Sequence, residues 1–337
     1  MAVTIRDVAE KAGVSASTVS RVLNGKGTIS GETKKRIFDV MEELQYVPND
    51  SARSFACGSP RAIALVVDVS NAGAYSNSFF NDTVFGIETA AHRAGYSLVV
   101  MSATESVSGV ERLVLGKRVD GVICPDSLVD RAFLKKAGEL HFPCVILGQL
   151  EGGGAETSWV DINNTQAGAL AVRHLLSKGY REIAFLGGTG ADAFSRDRIS
   201  GYCRELAANE VPDPKGRIMQ AASTEMPQIM ELVNGFLNTE SRPDAIICSS
   251  DRLALGALRA AKMLNLRVPD DLGVLCFDNT VITELAEPSI TSIDVDTFEL
   301  GVQAAGILID RVENPDASIR QTLLATKIIQ RASTGRA

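Results

Sequence analysis

The chain has 337 residues, 45% of them hydrophobic and 22% charged, with a net charge of −7 and six cysteines. This composition excludes disordered and fibrous classes, and no apolar run approaches the roughly 18 residues that a membrane-spanning helix needs. The charge is uneven: residues 1–61 hold nine Lys/Arg against seven Asp/Glu, a net +2 that leaves −9 on the remainder, so a polyanionic partner is expected to meet the head alone.

The length suits two or three domains. The first residues enter a polar amphipathic pattern with no apolar core of a signal peptide. The cysteines, at 57, 124, 144, 203, 248 and 276, show no C-x-x-C spacing. A cytoplasmic protein is therefore expected, with reduced core cysteines, no metal site and no cofactor.

Thr4-Ile5-Arg6-Asp7 opens a first helix, a Thr cap followed by an acid near the positive end of the helix dipole. Ile5, Val8 and Ala9 form its apolar face, and Gly13 suits the left-handed turn that ends it. Ser15 caps a second helix reaching Leu23, apolar at Val19, Val22 and Leu23 and broken by Asn24-Gly25-Lys26-Gly27. Ser30 caps a third, where Ile37, Val40, Met41 and Leu44 fall at helical spacing. Periodicity alone fits either a generic small bundle or a helix-turn-helix unit. The outward face of the second helix favours the latter. Ala16, Ser17, Ser20 and Arg21 are small or hydrogen-bonding, and Arg21 is able to donate two hydrogen bonds to one guanine.

The string T-I-R-D-V-A-E-K-A-G-V-S-x-S-T-V-S-R-V-L-N, followed by Y-V-P-N-x-x-A-R-S, resembles the head of LacI/GalR-family regulators over residues 4–54. The resemblance implies that Ala16, Ser17 and Arg21 read bases, that Thr18, Ser20 and Asn24 grip phosphates, and that Thr4 and Ser15 belong to the same DNA-binding set. Pro48 ends the extension of the third helix, and residues 49–57 are too few for a helix to persist alone in water. In the family this segment is a hinge helix that folds when two copies meet in the minor groove and insert a leucine wedge. The resemblance carries DNA contact to Asn49, Ala52, Arg53 and Phe55. Phe55 stands at the wedge position and Ala56 where a basic residue is common. Phenylalanine also serves as a wedge, so Phe55 either kinks DNA or is buried against the body.

Beyond Arg61, apolar segments at 62–68, 96–101, 119–124, 144–147, 181–187, 244–249 and 273–277 read as buried strands. Helical stretches of about a dozen residues separate most of them, the signature of parallel βαβ units. HRAGYSLVV and LSKGYREIAFL suggest a duplicated helix-Gly-Tyr-strand unit. The expected fold is an N-terminal all-α helix-turn-helix head plus an α/β, two-lobed body with parallel sheets, similar to the periplasmic-binding-protein-like body of the family. The expected division is a DNA-binding domain over 1–47, a hinge over 48–60, and an effector-binding and dimerisation domain over 61–332. Its first lobe comprises about 61–161 plus 292–322, and its second about 162–291 plus 323–332.

Ligands of such sheets sit beyond the carboxyl ends of strands. The loop after residue 68 carries Ser70, then Phe79 and Phe80, which form either an apolar floor for a ring or lobe packing. Arg198 matches the family's R-x-x-G-[YFW] arginine, with Arg196 a second candidate. Ser250-Asp251 stands where the family has N-D, Asp251 also being a helix cap, and Asp278 matches an acid that accepts effector hydroxyls. Arg198 and Asp278 together make a polar clamp for vicinal hydroxyls or a small polar ring. Trp159 and Gln166 are weaker candidates.

An enzyme is the alternative. Gly188-Thr189-Gly190-Ala191-Asp192-Ala193 fits the dinucleotide fingerprint G-x-G-x-x-A, but the next strand, 217–220, ends in Gln220 instead of the ribose-binding acid. His92, His141 and His174 fit helix or loop positions better than a triad. The resemblance implies a repressor acting on a pseudo-palindromic double-stranded DNA operator as a homodimer, under a small-molecule effector of the carbohydrate class, with no membrane partner. The chain ends six residues after Arg331, so the tetramer-forming tail of some relatives is not expected.

Overall fold

The structure, a computed structural model, describes residues 3–23, 28–46, 59–68, 78–102, 116, 118–150, 156–187, 193–211, 217–223 and 225–336. It forms two compact units, Met1–Pro60 and Arg61–Ala337. In the first, α1 (Ile5–Ala12), α2 (Ala16–Leu23) and α3 (Gly31–Glu43) surround one small core. The backbone N–H and hydroxyl of Thr4 donate to the Asp7 carboxylate at 2.7 and 2.8 Å, which holds that carboxyl below its ordinary range. Ser15 Oγ accepts from Thr18 N at 3.1 Å, and Ser30 Oγ from Thr33 N at 3.2 Å. Gly13 ends α1 at φ 62°. These caps satisfy amides that a helix start leaves unpaired. Val8, Ala9, Ala12, Val19, Val22, Ile37, Val40 and Met41 are buried, each larger side chain contributing about 1.5–3 kcal/mol. The exposed Lys11–Glu43 ion pair at 2.7 Å contributes little beside that.

The second unit contains two six-stranded sheets. β1 (Ala62–Val67), β2 (Ser97–Ser102), β3 (Gly121–Pro125), β4 (Cys144–Leu147), β5 (Ser158–Ile162) and β11 (Gln321–Leu324) form an all-parallel sheet in the order β11-β5-β4-β3-β1-β2. β6 (Ile183–Gly187), β7 (Ile218–Gln220), β8 (Ala245–Cys248), β9 (Gly273–Phe277), β10 (Thr291–Asp294) and β12 (Lys327–Ile329) form the other, in the order β12-β10-β9-β8-β6-β7. It is parallel except for the β10–β12 pair. The first sheet carries α4 (Ser78–Arg93), α5 (Arg131–Glu139) and α11 (Thr297–Glu313). The second carries α6 (Asn164–Ser177), α7 (Ala193–Ala208), α8 (Met226–Leu237) and α9 (Asp251–Met263), with the short α10 (Val281–Leu285) following β9.

Each sheet has one helix pair in close backbone contact through reciprocal glycines. A Cβ on Gly86 of α4 would strike the carbonyl oxygen of Phe298 in α11, and one on Gly301 that of Thr83. In the second lobe a Cβ on Gly168 of α6 would strike the carbonyl oxygen of Arg198 in α7, and one on Gly201 that of Thr165. The duplicated Gly-Tyr unit is also present. Gly95 and Gly179 adopt φ of 75° and 84°, and Tyr96 and Tyr180 are buried. Each ring lies under a guanidinium, Arg61 at 4.9 Å and Arg336 at 4.8 Å.

The chain passes between lobes three times, after β5, after β10 and between β11 and β12. This corrects the expected lobe limits. β10 was expected in the first lobe, yet it pairs with β9 in the second, and the return crossing is at residues 295–296. The last crossing is at residues 325–326, because Gln321–Leu324 pairs with β5. The first and third crossings are joined, Asn163 N donating to the carbonyl of Leu324 at 3.0 Å. Cys124, Cys144, Cys248 and Cys276 are buried free thiols and Cys203 is half-buried; Cys57 lies outside the described residues. Among the described residues, no helix is long and apolar enough to cross a membrane, and no His/Cys/Asp/Glu group is disposed to hold a metal.

Candidate functional site

A cavity of about 460 Å³ lies between the carboxyl ends of the two sheets. Leu65, Pro125, Asp126, Gly148, Asp161 and Ile162 border it from the first lobe, and Ala221, Ser249, Ser250 and Asp278 from the second. Parallel strands leave their last carbonyls and following loops at this edge, which is why polar side chains converge here. Phe79, Phe80 and Phe194 add apolar wall. Phe79 packs against the cores of both lobes, whereas Phe80 packs against the first alone.

Arg198 is 4% exposed. Its Nε donates to Asn164 Oδ1 at 3.0 Å and its Nη1 to the carbonyl of Ser249 at 3.2 Å. The guanidinium lies 4.1 Å from the Phe277 ring centroid and 5.2 Å from that of Phe194, a stacked and desolvated setting that suits arginine better than lysine. Asp278 follows β9 in a left-handed conformation, φ 67°, which Asp tolerates better than most residues. Its neighbours fix that turn: Arg331 donates to Asn279 Oδ1 at 2.6 Å, and Thr280 Oγ1 donates to Asp251 at 2.8 Å. Asp278 Oδ1 is buried without a hydrogen-bond partner. Burial raises the Asp278 carboxyl from its ordinary range; Arg198 opposes that shift and Asp251 adds to it.

Asp161, at the end of β5, is pushed up to about 6, chiefly by burial and further by the carboxylates of Asp126 and Asp197, against a hydrogen bond from Ile162 N. That bond, to Oδ1, is 2.7 Å long. Asn164 also donates to Asp161 Oδ1, at 3.5 Å, and to the carbonyl of Ile162 at 3.2 Å. Asn164 thus links the carboxylate of the first lobe to the guanidinium of the second.

Of the residues expected from sequence, Phe79, Phe80, Arg198, Ser250 and Asp278 border the cavity. Ser250 is also the cap of α9, accepting from Leu253 N at 3.4 Å. Arg196 does not border it. It lies two residues before Arg198 on α7, a rotation of roughly 200° at about 100° per residue, and is exposed. Asp251 stands behind the wall, where its carboxylate accepts from Arg252 N at 2.5 Å and from Thr280. Trp159 belongs to the apolar core of the first lobe, and Gln166 is exposed outside the cavity. Ser70 lies outside the described residues, as do Gly188, Thr189, Gly190, Ala191 and Asp192 of the dinucleotide-like string.

Asp126, Asp161 and Asn164 escaped the sequence reading. Asp126 directly follows a buried strand, and Asp161 interrupts the apolar string Ser158–Ile162 with a charge; both signals were present.

In the head, Thr4, Ser15, Ser17 and Arg21 are exposed, while Ala16, Thr18 and Ser20 are half-buried. Ala16 packs against the core. The Ser15 hydroxyl lies 2.7 Å from that of Ser17 and 2.8 Å from that of Thr18, a hydroxyl-rich N-terminus on α2. Asn24, Asn49, Ala52, Arg53 and Phe55 lie outside the described residues.

Known proteins show the same plan. Residues 4–49 match the model of bacterial regulatory proteins of the lacI family, and residues 172–334 that of the periplasmic binding protein-like domain. The HTH-type transcriptional repressor PurR of Vibrio atlanticus is 30% identical, over 98% of each chain. The ribose operon repressor of Halalkalibacterium halodurans is 31% identical, over 98% of this chain and 97% of its own. A structure of the Lac repressor dimer bound to operator and the anti-inducer ONPF is similar with a TM-score of 0.82 and 26% identity, covering 99% of both chains. These similarities answer the choice between regulator and dinucleotide enzyme in favour of the regulator. The chain belongs to the lacI family of bacterial regulatory proteins, transcriptional repressors that join a helix-turn-helix DNA-binding head to a periplasmic-binding-protein-like, ligand-binding body.

Proposed function

We propose that this repressor binds a pseudo-palindromic operator in the cytoplasm as a homodimer, and that a small effector of the carbohydrate class, bound in the cleft, sets its operator affinity. The observation that carries the effector half is the cavity between the strand ends, which Arg198 borders together with Asp278, whose buried Oδ1 has no hydrogen-bond partner. A polar ring with vicinal hydroxyls satisfies such groups, and its apolar face suits Phe79 and Phe80. The name of the ribose operon repressor fits the same ligand class.

The DNA-binding half rests on the head, with Ser17 and Arg21 exposed on the second helix. In this reading residues 1–47 recognise the half-site, 48–60 form the hinge, and 61–332 bind effector and dimerise. Ala16, Ser17 and Arg21 read bases; Thr4, Ser15, Thr18, Ser20 and Asn24 meet phosphates; Asn49, Ala52, Arg53 and Phe55 act in the minor groove. Two-fold symmetry matches two half-sites, as the operator-bound Lac repressor dimer illustrates. Val281, Ile282 and Leu285 of α10 are 69%, 44% and 74% exposed, an apolar face suited to a second copy. A ligand controls operator affinity only by binding the two lobe arrangements unequally.

Selection of full-length protein on random duplex DNA, followed by fluorescence anisotropy with and without sugars, tests the reading. A salt-dependent preference for a two-fold sequence, shifted by one sugar, is expected. Uniform binding to all duplexes would remove the operator half, and indifference to every small molecule the effector half.

A further inference from the structure

Charge in the cleft is lopsided. Asp126, Asp161 and Asp278 border it, and Arg198 is the one cation among its described lining residues. Arg198 already serves protein acceptors, Asn164 and the Ser249 carbonyl, and stacks on Phe277. Backbone amides hold the two carboxylates of the first lobe: Ser127 N donates to Asp126 at 2.8 Å and Ile162 N to Asp161 at 2.7 Å. The third, Asp278, faces them from the second lobe with its buried Oδ1 unpartnered. Gly148 makes room for this arrangement, since a Cβ there would lie 2.6 Å from Asp126 Cγ. A bound molecule therefore meets acceptors from both lobes.

A phosphate or carboxylate placed among these groups faces like charges in a partly desolvated space, where such repulsion is strong. Hydroxyl or ammonium donors instead satisfy the acceptors. We propose that Asp161, with Asp126 and Asp278, makes the cleft selective for an uncharged or amino-bearing ring rich in hydrogen-bond donors, and against phosphorylated or carboxylated rings. The inference rests on the effector reading of this cleft. Asp161 is the specificity-determining member, because it borders the cavity from the end of β5 with its carboxylate fixed by the 2.7 Å bond from Ile162 N.

The test is a thermal-shift screen of the full-length protein with compounds matched in ring and differing in charge, confirmed by calorimetric titration. Ribose, glucose and cellobiose form the uncharged arm, glucosamine the amino arm, and ribose 5-phosphate, glucose 6-phosphate and glucuronate the anionic arm, with wider sugars, polyols and nucleosides sorted likewise. Stabilising compounds are expected in the first two arms, with binding at least about 100-fold weaker for a matched phosphate. Asp161→Asn is expected to narrow that ratio at least about tenfold, and Asp126→Asn serves the same purpose if the first variant does not fold. A phosphorylated or carboxylated compound binding more tightly than its uncharged parent overturns the inference and leaves the effector reading standing. If no compound of any charge stabilises the protein or moves its operator affinity, the effector reading falls and this inference with it.

Discussion

Replacing Asp161 by Asn is expected to stabilise the body at neutral pH, although it removes a charged group bordering the cleft. The carboxyl is held at about 6 against an ordinary 3.8, and each pH unit of such displacement corresponds to about 1.4 kcal/mol. The charged form is thus disfavoured by at most about 3 kcal/mol, which partial solvent screening reduces to about 1–2 kcal/mol. Asparagine keeps an acceptor for Ile162 N, so the 2.7 Å bond survives. A carboxyl raised on folding holds its proton more tightly in the native state. Its contribution to stability is therefore most favourable below pH 3.8 and falls as pH rises toward 6. The gain from Asn follows the reverse course, complete above pH 6 and vanishing as pH falls below 3.8. At roughly 2–4 °C per kcal/mol, thermal melts near pH 7.5 should show the variant about 2–8 °C higher, with the difference reduced by about half near pH 4.5 and nearly gone near pH 3. A variant less stable than the parent at neutral pH, or an offset independent of pH, would show that Asp161 is not electrostatically frustrated.

Four further outcomes are expected. Arg21→Ala should weaken operator binding by about 1–3 kcal/mol and relax preference at one base pair; an equal loss on every duplex in a binding-selection experiment refutes base reading. Phe55→Ala should reduce DNA bending, measured by cyclisation, more than non-specific affinity, and unchanged bending eliminates the wedge. Asp278→Ala should abolish the operator's response to effector with basal operator affinity intact, as read by anisotropy; a full response removes Asp278 from the site. Gly168→Ala should destabilise the body by about 1–3 kcal/mol or more, because the added methyl strikes the backbone of Arg198. Urea melts that superimpose on the parent's would contradict that contact.

The sequence was most legible where burial is complete. β1, β8 and β9 are almost fully buried strings such as Ala245–Cys248, and a parallel sheet covered on both faces demands such runs. β5 and β10 are buried too, yet were missed because polar residues such as Ser158, Asp161, Thr291 and Ser292 interrupt their apolar pattern. β11 and β12 were missed for the opposite reason, being edge strands with exposed or half-exposed side chains, so their identity comes from partners distant in sequence. The omission of β10 also misplaced it between lobes. At the site, Arg198 and Asp278 were accessible through motifs, whereas Arg196 required the rotational phase of a helix whose start was not fixed by sequence. Asp161 was signalled by a charge within an apolar string, whereas Asn164 acquires meaning only through a spatial neighbour, Arg198, contributed by another helix.

The three connections between lobes constrain how a bound molecule could be reported elsewhere in the body. Segments at residues 163, 295–296 and 325–326 join the same two lobes, and the first is tied to the end of β11, directly before the third, by the Asn163–Leu324 hydrogen bond. Like the spine of a book, a three-ply connection permits the covers to swing but resists sliding one past the other, since sliding would have to stretch all plies at once. Capture of a molecule between the covers is thereby converted into an angle, and an angle grows into the largest displacement at the points farthest from the spine.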